Sequence, residues 1–322
     1  MAIHELDLER GSSRHDQHDD GQRPLGGPLQ LFVTGAVIIV PFVGALLAIT
    51  GLIGERVAWF DLGLLVAGYV VTVLGVTAGY HRLFTHRSFV AVRPLKIALA
   101  VLGSFALQGS LVDWVTTHRR HHQYSDRPGD PHSPVSPTPR SQWAGLLHAH
   151  LGWLFRVPAP ARRRDAADLL IDRDLRVVSG LFPLFAALTL AVPFFAGWVV
   201  AGTVSGAVTA LIWGGLVRIF LAHHLTWSIN SVCHMVGKRP FRTTDQSRNV
   251  GALAVLSMGE SWHNAHHAFP SLARHGVDRR QIDLTAACIR VWERLGWVHS
   301  VHWPDVTKLA LRRIPVIAPS AA

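Results

Sequence analysis

His118-Arg119-Arg120-His121-His122 is the stretch from which the fold and the chemistry of this chain can be worked out. Residues three and four apart share one face of a helix, so the three imidazoles of this stretch would lie together. The same HxxHH pattern recurs at His263-Asn264-Ala265-His266-His267, and His81 and His86 form a third, looser pair. With 20 histidines in 322 residues, one HxxHH is expected by chance only about 0.08 times per chain. The repetition therefore indicates a metal site.

The number of histidines indicates more than one metal ion. Imidazole is a ligand for iron, zinc, copper and nickel, so the ligand type does not select the metal. The eight histidines of the three clusters exceed what a single ion can use. We therefore expect two neighbouring metals.

The composition favours a membrane protein. The chain is 49% apolar and carries 11 Trp, its mean hydropathy is +0.26 and its net charge is +10. The basic residues flank apolar spans, where the positive-inside rule explains them better than a nucleic-acid partner does. Cys233 and Cys288 are too few for a disulfide framework or a cysteine zinc site.

Hydropathy predicts four membrane crossings, at about 29–52, 62–80, 180–200 and 205–223. Residues 95–112 are also apolar, but a crossing there would separate the first histidine pair from the second cluster. We therefore predict an interfacial or re-entrant helix at 95–112. Residues 1–28 have no apolar core typical of a signal peptide and are predicted to form a disordered tail that is not cleaved.

The predicted architecture is all-α, with four transmembrane helices and a cytoplasmic helical cap that carries the di-metal site. The cap comprises 113–178, including a Pro-rich loop at 128–139, and 225–322, including an amphipathic helix at 281–296. Lysine and arginine are concentrated in these two segments. The positive-inside rule therefore places both termini and every histidine cluster in the cytoplasm, on a multi-pass protein of the cell membrane.

The boxes HRLFTH (81–86), HRRHH (118–122), NSVCH (230–234) and HNAHH (263–267) resemble those of the membrane fatty acid desaturases. The resemblance is strongest to the acyl-CoA (stearoyl-CoA) delta-9 type of bacteria and animals. It continues in DWV (113–115), GDPH (129–132), HLGW (150–153) and GESW (259–262) and covers roughly residues 30 to 300.

The resemblance implies a di-iron enzyme with nine histidine ligands. One iron would take His81, His86, His118, His122 and His266, and the other would take His121, His234, His263 and His267, with Asn230 holding a water. From the residues alone, His234 is a weak candidate, and His132, His148, His150, His223 and His224 are structural residues or, for the first three, partners that orient the ligands.

The family reaction uses O2 and two external electrons to introduce a cis double bond into a saturated acyl chain such as that of stearoyl- or palmitoyl-CoA. The chain would lie in a bent tunnel near Trp114 and Gln108, and Arg119 and Trp262 are further candidate substrate contacts. Thr116 and Thr117 replace an Arg-Asp pair of animal relatives that holds the carrier headgroup. The carrier therefore stays open between coenzyme A, a phospholipid and a carrier protein.

The electron donor is expected to be a separate protein, because the chain contains no His-Pro-Gly-Gly haem loop. The candidates are a ferredoxin, a rubredoxin or an iron-sulfur flavoprotein reductase. A basic face predicted at Arg119, Arg120, Lys238, Arg239 and Arg242 could receive an acidic donor or could be an ordinary cytoplasmic surface.

Two other functions are compatible with the histidine boxes. A lipid or alkane hydroxylase of the same superfamily would use the same site and give an alcohol, although NSVCH and the spacing of the first two boxes favour a desaturase. A membrane metal transporter or sensor is the alternative of another class. Transporters usually place their ligands within the spans at mid-membrane, whereas these boxes lie at span ends and beyond.

Overall fold

The computed structural model describes residues 22–24, 27–54, 56–135, 141–158 and 163–315. Its helices, in chain order, are α1 Pro28–Thr50, α2 Trp59–Leu74, α3 Arg93–Ser104, α4 Leu111–Tyr124, α5 Gln142–His150, α6 Ala167–Ile171, α7 Arg173–Gly180, α8 Phe182–Ala201, α9 Val204–Ala210, α10 Arg218–Ser231, α11 His263–Ala268, α12 Leu284–Arg294 and α13 Val306–Arg312. Two short antiparallel pairs join β1 Gln22–Pro24 to β3 Arg156–Pro158 and β2 Val90–Ala91 to β4 Val298–His299.

Four helices are long and apolar enough to cross a membrane, namely Pro28–Thr50, Trp59–Thr85, Phe182–Ala201 and Val204–His234. The third and fourth form a tight hairpin, in which Gly202 adopts a positive φ of 70° and the Thr203 hydroxyl caps the next helix by accepting from the Gly206 N–H. The predicted helical fold with four candidate membrane spans is therefore confirmed.

The second span runs beyond the predicted range of 62–80 because it continues from α2 as a π-helix, Gly75–Thr85. A π-helix bonds each N–H to the carbonyl five residues back, and the His86 N–H donates to the His81 carbonyl at 3.1 Å. This repeat brings the two rings to a centroid distance of 4.8 Å. The five-residue spacing of His81 and His86 is thus the repeat of this wider helix.

The fourth span also runs beyond the predicted range of 205–223. A π-helical stretch, Leu211–Val217, joins α9 to α10, and a short 3-10 turn, Val232–His234, completes the span. The extension carries Asn230 and His234 on the same continuous element as the apolar crossing.

Residues 95–112 contain most of one helix, a turn and the first residues of a second helix, where a single helix was predicted. Helix α3 has 12 residues and measures about 18 Å, too short for a hydrocarbon core of about 30 Å. The chain then turns at 105–110, where Leu107 and Gly109 have φ of 59° and 105°, and returns as α4. The Phe105 ring lies 5.4 Å from Phe185 of α8, so the turn sits beside a candidate membrane span. His86 before α3 and His118 on α4 belong to the same histidine cluster, so the segment between them starts and ends at one site.

A buried ion-pair network connects the second span to the region before α12. Arg82 is fully buried and donates to Glu260, Asp283 and the Ala273 carbonyl. A buried guanidinium is stable only when its donors are paired in this way. The network fixes the segment that leads into the HNAHH box against the HRLFTH box.

Some predicted segments lie partly or wholly outside the described residues. Of the predicted tail 1–28, residues 1–21 and 25–26 are outside, whereas 22–24 form β1 and α1 begins at Pro28. Residues 136–140 of the Pro-rich part of the cap, 159–162 and the end of the chain from 316 are also outside.

Candidate metal centre

Five histidines from three separate stretches of the chain form the first histidine cluster, His81, His86, His118, His122 and His266. The Nε2 atom of His266 lies 3.1 Å from that of His81 and 3.0 Å from that of His122. His118 and His122 approach each other at 3.1 Å from successive turns of α4. The buried Nε2 atom of His86 has no hydrogen-bond partner.

Four more histidines form the second histidine cluster, His121, His234, His263 and His267. The Nε2 atoms of His234 and His263 lie 3.0 Å apart, and those of His121 and His267 lie 3.3 Å apart. The two clusters are adjacent, since the rings of His122 and His267 stack at 4.6 Å.

Each HxxHH box is divided between the two clusters. On α4, the pair four residues apart, His118 and His122, belongs to the first cluster, and His121 points to the second. On α11 the arrangement is reversed, because His263 and His267 belong to the second cluster and His266 to the first. The spacing alone predicted that the three imidazoles of a box form one group. The structure instead divides each box between the two clusters.

The spacing of the nitrogens fits metal coordination. Neighbouring ligands on an octahedral ion with metal–nitrogen bonds of about 2.1 Å lie about 3.0 Å apart. The closest Nε2 pairs in both clusters lie between 3.0 and 3.3 Å apart. Each cluster therefore fits one ion held only by neutral nitrogen ligands.

Four carboxylates accept from the Nδ1 atoms of cluster histidines. Glu260 contacts His81 at 2.5 Å and Asp130 contacts His121 at 3.0 Å. In addition, Asp126 contacts His234 and Asp245 contacts His267, both at 2.8 Å. A carboxylate at Nδ1 fixes the proton there and leaves the Nε2 lone pair for a metal.

Sequence reasoning did not assign a role to these carboxylates. Asp130 and Glu260 lie in two stretches that carry the family resemblance, GDPH and GESW, which was the available signal. Asp126 and Asp245 lie in no such stretch, and only the fold brings them to the second cluster. Three of the four carboxylates support the second cluster and one supports the first.

The electrostatics of the site favour a neutral imidazole at His122 and at His266 and a charged carboxylate at Asp130. Burial and the neighbouring imidazoles lower the pKa of His122 and of His266 well below the usual range. Burial raises the pKa of Asp130, but the nearby His121 outweighs it and holds that pKa below its usual range. Neutral imidazole is the form that binds a metal ion.

A largely apolar cavity of about 430 Å³ reaches both clusters, a volume within the range of small-molecule sites. Its apolar wall includes Val33, Val37, Val73, Leu107, Phe182 and Leu225. His81 and His118 of the first cluster and His263 of the second also line it, as does Asn230.

Trp114 and Gln108 line this cavity and are hydrogen-bonded to each other. The Trp114 indole N–H donates to Gln108 at 3.2 Å, and the Gln108 amide donates to the Thr226 hydroxyl at 2.9 Å. Their contact with an acyl chain stays a prediction.

Arg119 and Trp262 have other partners and are not among the described residues that line the cavity. The Arg119 guanidinium makes two hydrogen bonds of 2.8 Å to Asp168 and donates to backbone carbonyls. The Trp262 indole N–H donates to the Ile282 carbonyl. Their contact with a substrate stays a prediction.

The remaining histidines occupy different positions around the site. His132 is buried with its ring 4.3 Å from that of His121, and its backbone N–H donates to Asp130. His150 and His224 contact each other at 3.0 Å. His223 contacts the Ala106 carbonyl through Nε2 at 3.0 Å.

Residues 56–288 match the sequence profile of the family described as fatty acid desaturase. The chain is 36% identical over 280 residues to a hex-5-enoyl-[acyl-carrier protein] acetylenase of Moorena producens, covering 86% of this chain and 87% of the relative. It is 38% identical over 251 residues to delta-9 acyl-lipid desaturase 1 of Arabidopsis thaliana, covering 77% of each. It is also 36% identical over 274 residues to an acyl-CoA C20 delta5-desaturase of Anemone leveillei, covering 84% and 82%.

The mostly helical fold with four candidate membrane spans and paired histidine clusters is that of a membrane desaturase, an oxidoreductase acting on lipid chains. This chain belongs to the fatty acid desaturase family.

Proposed function

We propose that this protein is an O2-dependent di-iron desaturase that introduces a cis double bond, at the delta-9 position, into a saturated acyl-CoA such as stearoyl- or palmitoyl-CoA. The observation that carries the proposal is the apolar cavity that ends on both histidine clusters. A cavity of this kind admits an alkyl chain, excludes water and presents the chain to whatever the histidines hold.

The nine cluster histidines would hold two irons, five on one and four on the other. Bound there, the irons would supply the oxidant needed to break unactivated C–H bonds. The surrounding carboxylates keep the imidazoles in the tautomer that binds metal, and Asn230, one helical turn before His234, would position a water. Family membership favours iron among the imidazole-binding metals, since the ligand type alone does not select the metal.

The overall reaction balances with one external donor. One hydrogen leaves each of two adjacent carbons, and O2 accepts these two hydrogens together with two electrons and two protons to give two waters. The electrons would come from a ferredoxin, a rubredoxin or an iron-sulfur flavoprotein reductase. Lys238 and Arg242, which are exposed on the loop leading to Asp245, are candidate contacts for such a donor.

The distribution of charge supports a cytoplasmic active site in the cell membrane. The lysines and arginines lie mainly in 113–178 and 225–322, on the side of the histidine clusters. We therefore propose that residues 29–322 form one desaturase domain whose cap faces the cytoplasm.

The experiment is expression in a desaturase-deficient host together with a compatible electron donor. Gas chromatography with mass spectrometry would identify the fatty acids released from the total lipids, from acyl-CoA and from acyl carrier protein, with double bonds located by derivatisation. We expect a new cis-monounsaturated acid, first in the acyl-CoA pool. His121→Ala is the inactive control, and His299→Ala, an exposed histidine outside both clusters, is the matched active one.

The outcomes separate the competing functions. A hydroxylated fatty acid would show that the protein is a hydroxylase and not a desaturase. A double bond elsewhere than delta-9, or product that appears first on lipid or carrier protein, would correct the position or the carrier. No new fatty acid on any carrier, with the protein present in the membrane, would refute the proposal and favour metal transport or sensing.

A further inference from the structure

Arg218 is a buried cation in the middle of the fourth candidate membrane span. It is 3% exposed and lies 16 positions before His234, about 24 Å along the helix. No ion pair between Arg218 and a carboxylate is found in the described part of the chain. A charged residue at this depth is rare and usually has a specific partner.

The guanidinium bonds to backbone and hydroxyl oxygens of three other elements. It donates to the Phe105 carbonyl at 3.2 Å, to the Thr189 hydroxyl at 2.7 Å and to the Thr72 hydroxyl at 3.4 Å. It also donates to the Gly214 carbonyl of its own helix at 2.9 Å. One side chain thus connects the second, third and fourth spans with the end of α3.

The backbone carbonyls just after the end of α3 need hydrogen-bond donors, which explains this arrangement. The last carbonyls of a helix lack intrahelical partners and carry the negative end of its dipole. Unsatisfied carbonyls are strongly disfavoured inside a membrane. Phe105 accepts from Arg218 and also from the Thr189 hydroxyl at 2.7 Å, and Ala106 accepts from His223 at 3.0 Å.

The turn that these donors hold forms part of the cavity wall. Leu107, Gln108 and Gly109 follow the capped carbonyls directly and line the cavity together with His81 and His118. The turn is not stable in this conformation by itself, because Leu107 adopts a φ of 59° that is unfavourable for a branched side chain. Its position therefore depends on the donors from α8 and α10.

We propose that Arg218, acting with Thr189 and His223, is a positioning residue that determines where the double bond is placed. This inference rests on the proposed desaturase function. The α3–α4 turn and the metal-binding histidines contact the same chain, so the distance between them selects the carbons that lie beside the clusters. A displacement of the turn by one methylene length would bring a different pair of carbons into place.

The test compares Arg218→Gln, Arg218→Lys and Thr189→Val with the unchanged chain in the same host and donor. Thr189→Val keeps the shape of the side chain and removes only the hydroxyl that bridges Arg218 and Phe105. Thr50→Val is the matched control, because the Thr50 hydroxyl donates to Leu46 and Leu47 of its own helix. Double-bond positions, kcat and KM are measured for each variant.

We expect Thr189→Val and Arg218→Gln to raise the proportion of products with a displaced double bond about tenfold, the factor that the loss of one hydrogen bond to a charged group supplies. Arg218→Lys, which keeps the charge, should restore part of the selectivity. The Thr50→Val products should match those of the unchanged chain.

Variants that keep the original double-bond position would overturn the inference, whether their activity is normal or uniformly reduced, because a merely structural Arg218 would reduce yield without moving the bond. If Arg218→Gln does not fold, Thr189→Val decides alone. An unchanged chain that makes no product refutes the proposed function instead, so the two failures are distinguishable.

Discussion

Replacing Asp245 by Asn should weaken metal binding at the second histidine cluster. The carboxylate accepts from Nδ1 of His267 at 2.8 Å, and the two side chains are 7% and 1% exposed. A hydrogen bond to a charged group contributes about 1.5 to 3 kcal/mol, which corresponds to a factor of about 10 to 150 in affinity. Loss of such a supporting partner typically lowers metal affinity about 10- to 100-fold. Both estimates predict a clear but incomplete loss.

The assay is a chelator titration of the purified, iron-loaded protein, followed by metal analysis of the retained iron. We expect Asp245→Asn to release one iron per chain at a chelator concentration about 10- to 100-fold lower than the unchanged protein requires. The second iron should leave at the usual concentration. Asp305→Asn is the control, because Asp305 is an exposed residue that caps α13 and belongs to neither cluster. Identical titration curves for Asp245→Asn and the unchanged protein would refute the role of the carboxylate.

Further expectations concern the ligands, the packing and the metal. His266→Ala should abolish turnover, as should His121→Ala, while both proteins still insert into the membrane; full activity of either, measured by product formation, would remove the di-metal mechanism. His132→Ala should reduce turnover less, because His132 contacts His121 and Asp130 without belonging to the nine cluster histidines; a complete loss would require a new ligand set. Gly75→Ala should destabilise the protein by about 1 to 3 kcal/mol, because its Cβ would lie 2.3 Å from the Gly103 backbone, whereas Gly63→Ala meets nothing within 4 Å and should be tolerated; equal thermal unfolding of both would contradict this packing. Complete iron removal should stop turnover and lower the melting temperature, and re-addition of iron should restore both; a chelator-insensitive activity would exclude the metals.

The sequence predicted the spans and grouped the histidines because both signals are local. Apolar runs of membrane length and HxxHH spacing depend on residues that are neighbours in the chain. The resemblance divided the nine histidines into the same two sets that the fold brings together. Spacing alone could not make this division, because residues 118, 121 and 122 share a helix face and only the position of α11 separates them.

The parts that sequence reasoning did not find depend on contacts between distant segments. Asp126 and Asp245 lie 108 and 22 residues away in the chain from the histidines of the second cluster that they contact. Periodicity also could not foresee the π-helix at Gly75–Thr85, since its five-residue repeat is rare enough that an α-helical pattern is the normal expectation. The turn within 95–112 was missed for a similar reason, because its apolar residues continue the hydropathy of the helix.

In the proposed mechanism, the cavity presents a saturated chain to two histidine-held metals, and two hydrogens are removed from the chain there. The most direct test is a single turnover of the purified iron-loaded protein with a fully deuterated saturated acyl-CoA and a reduced donor, with and without O2, analysed by mass spectrometry. We predict a product that has lost two deuterium atoms and gained no oxygen, formed only when O2 is present. A product that has gained one oxygen, or a chain that returns unchanged from a protein with both irons bound, would contradict it.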